Sequence, residues 1–156
     1  MAPDNITTNH WKRLLNACNT LNELKKNGYS VTVYSQINSN VEHKKLLWDL
    51  LQDEISVVLY YDISMISAEK IKAEYDYIWI NTILLYDVVN RMLPLGIPTY
   101  WWLHEADDFY ESMKEKIIYP QADNLTVLTV GWIAENAYRR YSHNNNSKCL
   151  LYLQNL

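Results

Sequence analysis

Glycine is scarce in this chain, with three residues among 156. That scarcity excludes the glycine-dependent phosphate cradles, because neither G-x-G-x-x-G after a strand nor G-x-x-x-x-G-K-[ST] can be placed. Dinucleotide and P-loop chemistry therefore lack a sequence basis. A G-x-S-x-G elbow is missing too, and His104-Glu105 runs on into Ala106-Asp107-Asp108 instead of completing H-E-x-x-H. Basic residues never run beyond a pair and the formal net charge is −4. Binding to a phosphate backbone needs clustered Lys and Arg, so no nucleic-acid partner is expected. Cysteine is limited to Cys18 and Cys149, far apart and without metal-ligand spacing, which reads as a reduced, buried pair. No long hydrophobic run survives inspection. The most apolar stretch, Ile78 to Leu95, is interrupted by Asn81, Asp87, Asn90, Arg91 and Pro94, so no transmembrane segment is expected. Met1 to Asn9 is polar, unlike a signal peptide, and a cytoplasmic location is the expectation.

What the chain does have is tyrosine and tryptophan, thirteen and six residues against a single phenylalanine. Both side chains join a large apolar body to a polar tip and suit half-buried positions and clefts. That bias fits ring-shaped or sugar ligands, and it fits ordinary packing as well. The length suits one domain spanning residues 1–156.

Hydrophobic spacing organises the rest. Trp11, Leu14, Leu15, Cys18, Leu21 and Leu24 recur at helical steps, with Thr7 or Thr8 as a cap and Asn27-Gly28 as the stop. Tyr29 to Ser35 is β-branched and aromatic, a strand. Asn40 is placed to cap a second helix carrying Leu46, Leu47, Leu50 and Leu51. Ile55 to Tyr61 is a nearly continuous apolar strand, as expected when both faces are covered. Then follow a helix over Ser64 to Tyr75, a strand over Asp76 to Asn81 and a helix over Thr82 to Leu95. That last helix carries Leu84, Leu85, Val88 and Met92 on one stripe, and Gly96-Ile97-Pro98 repeats the stop before a strand over Thr99 to Leu103. A helix over Asp107 to Ile118, a strand over Leu125 to Val130, a helix over Trp132 to Tyr141 and a strand over Cys149 to Leu153 complete the series. Strands alternating with helices mean βαβ units: an α/β, Rossmann-like, mainly parallel sheet with helices on both faces. One departure stands out. Doubly wound domains begin with a strand that lies centrally in the sheet, whereas this chain opens with a helix and lacks the usual first strand.

In open parallel sheets, ligands bind beyond the carboxyl ends of the strands. Among those ends only His104-Glu105-Ala106-Asp107-Asp108 is dense in reactive groups. His104 is suited to proton exchange near neutral pH or to binding a hydroxyl, and Glu105 to holding a hydroxyl or a cation. Asp107 and Asp108 sit where a helix favours acids regardless of function. Asn81-Thr82 ends the neighbouring strand, where Asn either meets a ligand or satisfies loop backbone. Gly131 ahead of a helix serves as a turn, or as a weak anion site. The trio His104, Glu105 and Asp107 has no recognised metal-ligand spacing, so no metal is assigned.

Several segments in order are similar to GT-B glycosyltransferases of the family-four type. Glu23 to Ser35 (ELKKNGYSVTVYS) resembles their first helix and second strand. Tyr77-Ile78-Trp79-Ile80-Asn81-Thr82 looks like their strand ending in Asn-Thr. Gly96-Ile97-Pro98-Thr99-Tyr100-Trp101-Trp102-Leu103-His104-Glu105 is similar to their G-I-P…W…H-E strand, and Leu125 to Tyr138 to their closing strand and helix. The resemblance implies the acceptor-side half of a retaining enzyme that moves a sugar from a nucleotide diphosphate to an acceptor hydroxyl, in cell-surface polysaccharide or glycan synthesis. It implies catalytic roles for His104 and Glu105 and acceptor contacts from Asn81, Thr82 and Asp107. It also implies a carbohydrate acceptor as partner, no cofactor held by this chain, and a nucleotide sugar as co-substrate of the complete enzyme. Two departures qualify it: Thr8 to Arg13 has no glycine-containing loop, and the donor-binding half is not in the sequence. Transfer by this chain alone is not expected without that half or a partner chain. The alternative is a non-catalytic binding or interaction domain of the same fold, and exposed strand edges make self-association an expectation.

Overall fold

The computed structural model describes residues 19–37 and 39–149. The chain divides into two compact units with the boundary between Ile66 and Ser67.

In the first unit, helix α1 runs over residues 19–26. It ends as its sequence dictates. Gly28 takes φ +87°, the Gly28 amide donates to the Lys25 carbonyl and that of Tyr29 to Leu24, closing a Schellman turn. Because Tyr29 is spent on that closure, strand β1 starts late and spans Thr32–Gln36. Helix α2, Val41–Gln52, is capped by Asn40, whose side chain accepts from the Glu42 and His43 amides at 2.8 and 3.0 Å. Leu50 is buried, whereas Leu51 is exposed, so the predicted inward set loses its last member. Strand β2, Ser56–Tyr60, pairs in parallel with β1 from Thr32↔Ser56 to Gln36↔Tyr60. Val58 and Leu59 are exposed, so β2 is not covered on both faces as its apolar run suggests. The predicted start of the first helix, and its Cys18, lie outside the described residues.

The second unit holds a four-stranded sheet in the order β3-β4-β5-β6, every pair parallel. Its strands are β3 (Ile78–Asn81), β4 (Thr99–Leu103), β5 (Leu125–Thr129) and β6 (Ser147–Cys149). The helices are α3 (Ala68–Glu74), α4 (Tyr86–Met92), α5 (Asp107–Met113) and α6 (Trp132–Ser142). The fold class is thus α/β and Rossmann-like, with parallel sheets.

Where one helix is predicted over Ser64 to Tyr75, two caps divide the segment. Asp62 caps a 3-10 turn at Ile63–Met65, and Ser67 starts α3 by accepting from the Lys70 amide. The helix predicted over Thr82 to Leu95 is likewise flanked by 3-10 turns at Ile83–Leu85 and Leu93–Leu95. Of its predicted stripe, Met92 is buried and Leu85 and Val88 pack against the core, whereas Leu84 points to solvent and Ile83 and Val89 are buried in addition. The helix predicted over Asp107 to Ile118 stops at Met113, and the chain turns so that Ile117 enters the core. The last strand begins at Ser147; the part predicted beyond Cys149 is outside the described residues.

Alternation along strands sorts the sheet into two faces. Ile80, Trp101, Leu103 and Val127 point to one face and pack with Val89 of α4, Tyr110 of α5, and Ala137 and Tyr138 of α6. The opposite face of β3 and β4 carries Trp79 and Asn81, then Tyr100 and Trp102. Burying the three bulkiest members of this cluster, Trp101, Tyr110 and Tyr138, contributes several kcal/mol, at roughly 25 cal/mol per Å² of apolar surface.

Candidate functional site

Strands β3 and β4 are neighbours and parallel, so their carboxyl ends bring Asn81-Thr82 beside His104-Glu105. The imidazole of His104 sits 2.5 Å from the Asn81 side chain, Nε2 donating to the amide oxygen Oδ1. In the neutral ring the basic nitrogen is then Nδ1. Trp102 lies against the same imidazole, with ring centroids 4.6 Å apart. His104 is buried at 9 % exposure and Asn81 is half-buried.

Glu105 is 3 % exposed, and a buried carboxylate must be satisfied by donors. It has three. The Thr82 hydroxyl donates to Oε1 at 2.6 Å, and Oε2 accepts from the amides of Ile83 at 3.3 Å and His104 at 2.9 Å. Both oxygens are therefore engaged by the protein. Glu105 clamps the loop leaving β3 to the loop leaving β4, and in doing so sets where Asn81 and His104 meet.

Thr82 carries the strain of this arrangement. Its φ of 81° with ψ of 146° is a backbone conformation that a β-branched residue rarely adopts. Five bonds hold it there, one of them the Leu85 amide donating to its carbonyl at 3.4 Å. The amide donates to the Trp102 carbonyl at 2.9 Å and the carbonyl accepts from Trp101 Nε1 at 2.9 Å. The hydroxyl, besides donating to Glu105, accepts from the Leu84 amide at 3.3 Å.

Asp107 stands apart from this cluster in its bonding. Its Oδ2 pairs with Arg140 at 2.7 Å, tying the start of α5 to α6, while its Oδ1 is buried without a hydrogen-bond partner. Among the described residues, no three His, Cys, Asp or Glu side chains are grouped as a metal site requires. Gly131 precedes α6 in extended backbone, with its carbonyl accepting from the Glu135 amide.

Behind the site lies Tyr110, fully buried, with no hydrogen-bond partner for its hydroxyl. Burial pushes this phenol well above its ordinary range, and the negative charge of Glu105 adds to the effect. Sequence reasoning did not single out Tyr110 or the conformational role of Thr82. It also missed Ser35 at the end of β1, which meets His43 Nε2 at 2.8 Å and fastens that strand end to α2. The only available signal for the last pair was their eight-residue spacing across a strand-to-helix turn.

Compared with family models, with curated proteins and with solved structures, the chain has no significant match. No helix among the described residues is long and apolar enough to cross a membrane.

Proposed function

We propose that this chain is the acceptor-side half of a retaining glycosyltransferase, acting in the cytoplasm on a carbohydrate or glycan acceptor. The observation that carries this reading is the Asn81–His104 contact at the carboxyl ends of adjacent parallel strands. His104 is the group that meets the acceptor hydroxyl, with Asn81 fixing its ring. Glu105 and Thr82 position that pair, and Asp107 holds the helix that follows. The nucleotide sugar is a co-substrate bound by a separate donor half, and this chain holds no cofactor of its own.

The test is one titration and one variant. Nucleotide sugars added to the purified chain should give no saturable binding, and saturable binding would overturn the half-enzyme reading. With a donor-binding half supplied and transfer detectable, His104→Ala should lower kcat by about 10²-fold or more, the usual scale for a proton-transfer group, in a chain that circular dichroism shows to be folded. A second reading is favoured by the full engagement of both Glu105 oxygens: a non-catalytic domain that binds carbohydrate or a partner chain. Unchanged transfer in the His104→Ala variant would select it.

A further inference from the structure

The face of β3 and β4 opposite the core is lined by aromatic rings up to Asn81 and His104. Tyr77 packs against Tyr100 with centroids 6.4 Å apart, and Trp79 stacks on Tyr100 at 6.0 Å with 28° between planes. Trp102 meets Trp79 edge-on at 5.3 Å and leads to His104 at 4.6 Å. Two of these rings face solvent: Tyr77 is 57 % and Trp79 42 % exposed. Trp102 is buried and forms the floor toward the Asn81–His104 pair. At the rise of a strand, Tyr77 to Asn81 covers about 13 Å.

We infer that this face is a stacking platform for a neutral pyranose chain, laid along Tyr77, Trp79 and Tyr100 with its end at Asn81 and His104. The inference rests on the proposed reading for what happens at that end. The platform itself rests on the rings. Neutral ligand chemistry follows from charge: on these two strand segments, Tyr77 to Asn81 and Thr99 to His104, there is no Asp, Glu, Lys or Arg. A nucleic-acid strand stacks on aromatics only within a basic groove. A ring ligand bearing phosphate favours a cationic partner, and these two segments supply no Lys or Arg. A pyranose matches instead, since its C–H faces lie on aromatic rings while its hydroxyls take the phenol, amide and imidazole tips.

The experiment is a calorimetric and tryptophan-fluorescence titration of the full chain with cellopentaose, maltopentaose and chitopentaose, each to about 10 mM, a range that captures weak binding. Saturable binding of at least one is expected, about tenfold weaker in Trp79→Ala, the loss of one good ring contact, and close to unchanged in Trp79→Phe. Trp79 is exposed, so circular dichroism should show both variants folded. Absence of saturable binding by all three sugars overturns the platform, as does equal affinity in Trp79→Ala. A face that is covered by another chain overturns it too, and is recognised by a Trp79-dependent change in sedimentation mass. The transfer assay with His104→Ala reports separately, so loss of the catalytic reading with Trp79-dependent binding intact leaves the platform standing.

Discussion

At the scale of single residues, Thr82 concentrates the cost and the purpose of the site. Its backbone conformation costs about 1–3 kcal/mol, and it persists because the bonds to Glu105, Trp101, Trp102 and Leu84 outweigh that cost. Thr82→Ala keeps the strained φ and removes the hydroxyl, leaving a buried carboxylate oxygen without its donor. Urea denaturation should show a loss of about 1–3 kcal/mol. Thr82→Ser retains the donor and relieves β-branching, so it should match or slightly exceed the parent. An alanine variant as stable as the parent would show that the Thr82–Glu105 bond contributes nothing. The reactive density of His104-Glu105 and the strand-end position of Asn81 were legible in the sequence, because they follow from residue type and from where strands stop. That Glu105 is consumed by three internal donors was not, since two of those donors belong to a loop 22 and 23 residues away.

At the scale of elements, the stops and caps are the most sequence-determined features. Gly28, Asn40 and Gly96 each act where local chemistry places them. Gly96 takes φ +76° after the Leu93–Leu95 turn, and a Cβ there would meet nothing within 4 Å. Gly96→Ala therefore costs only its left-handed backbone, about 1–2 kcal/mol, and should lower Tm without disturbing the sheet. No loss of Tm would mean that the turn can relax out of that conformation. Asn124 has a part the sequence did not disclose: its side-chain amide donates to the Leu93 and Ile97 carbonyls at 3.0 and 2.9 Å, pinning the loop into β4 from the start of β5. The one member of the predicted stripe ahead of α4 that faces solvent, Leu84, has a related reason. A 3-10 turn advances the chain by three residues per turn, not 3.6, so Ile83 replaces Leu84 on the buried side.

At the scale of the whole molecule, a buried tyrosine cluster governs the alkaline limb of stability. Tyr110 stacks with Tyr119 and Tyr141, and Tyr119 meets Tyr138 edge-on. Burial raises the Tyr119 phenol from 10.0 to about 12, and pushes Tyr110 higher still. A phenol whose value is raised on folding stabilises the protein fully below its unfolded value. That contribution fades as pH climbs through the folded one. Stability measured by denaturation should therefore hold to about pH 10 and fall progressively toward pH 12. The Tyr119 hydroxyl is buried without a partner, so Tyr119→Phe should leave neutral-pH stability unchanged or slightly raised while flattening the alkaline limb. A limb identical to the parent's would remove Tyr119 from this account.

The alternation of periods, the turn residues and the capping groups determined by themselves that this is an α/β chain with parallel strands, because each acts through neighbours a few residues away. Only the tertiary structure decided that the strands lie in two sheets, β1-β2 and β3-β4-β5-β6. It alone decided that Trp79, Tyr100 and Trp102 form one aromatic face, since sharing a face depends on the register between β3 and β4. The same register turns Asn81-Thr82 and His104-Glu105, two short strand ends in the sequence, into one hydrogen-bonded cluster. Parallel pairing joins residues twenty or more positions apart, and no local pattern encodes which of them will touch.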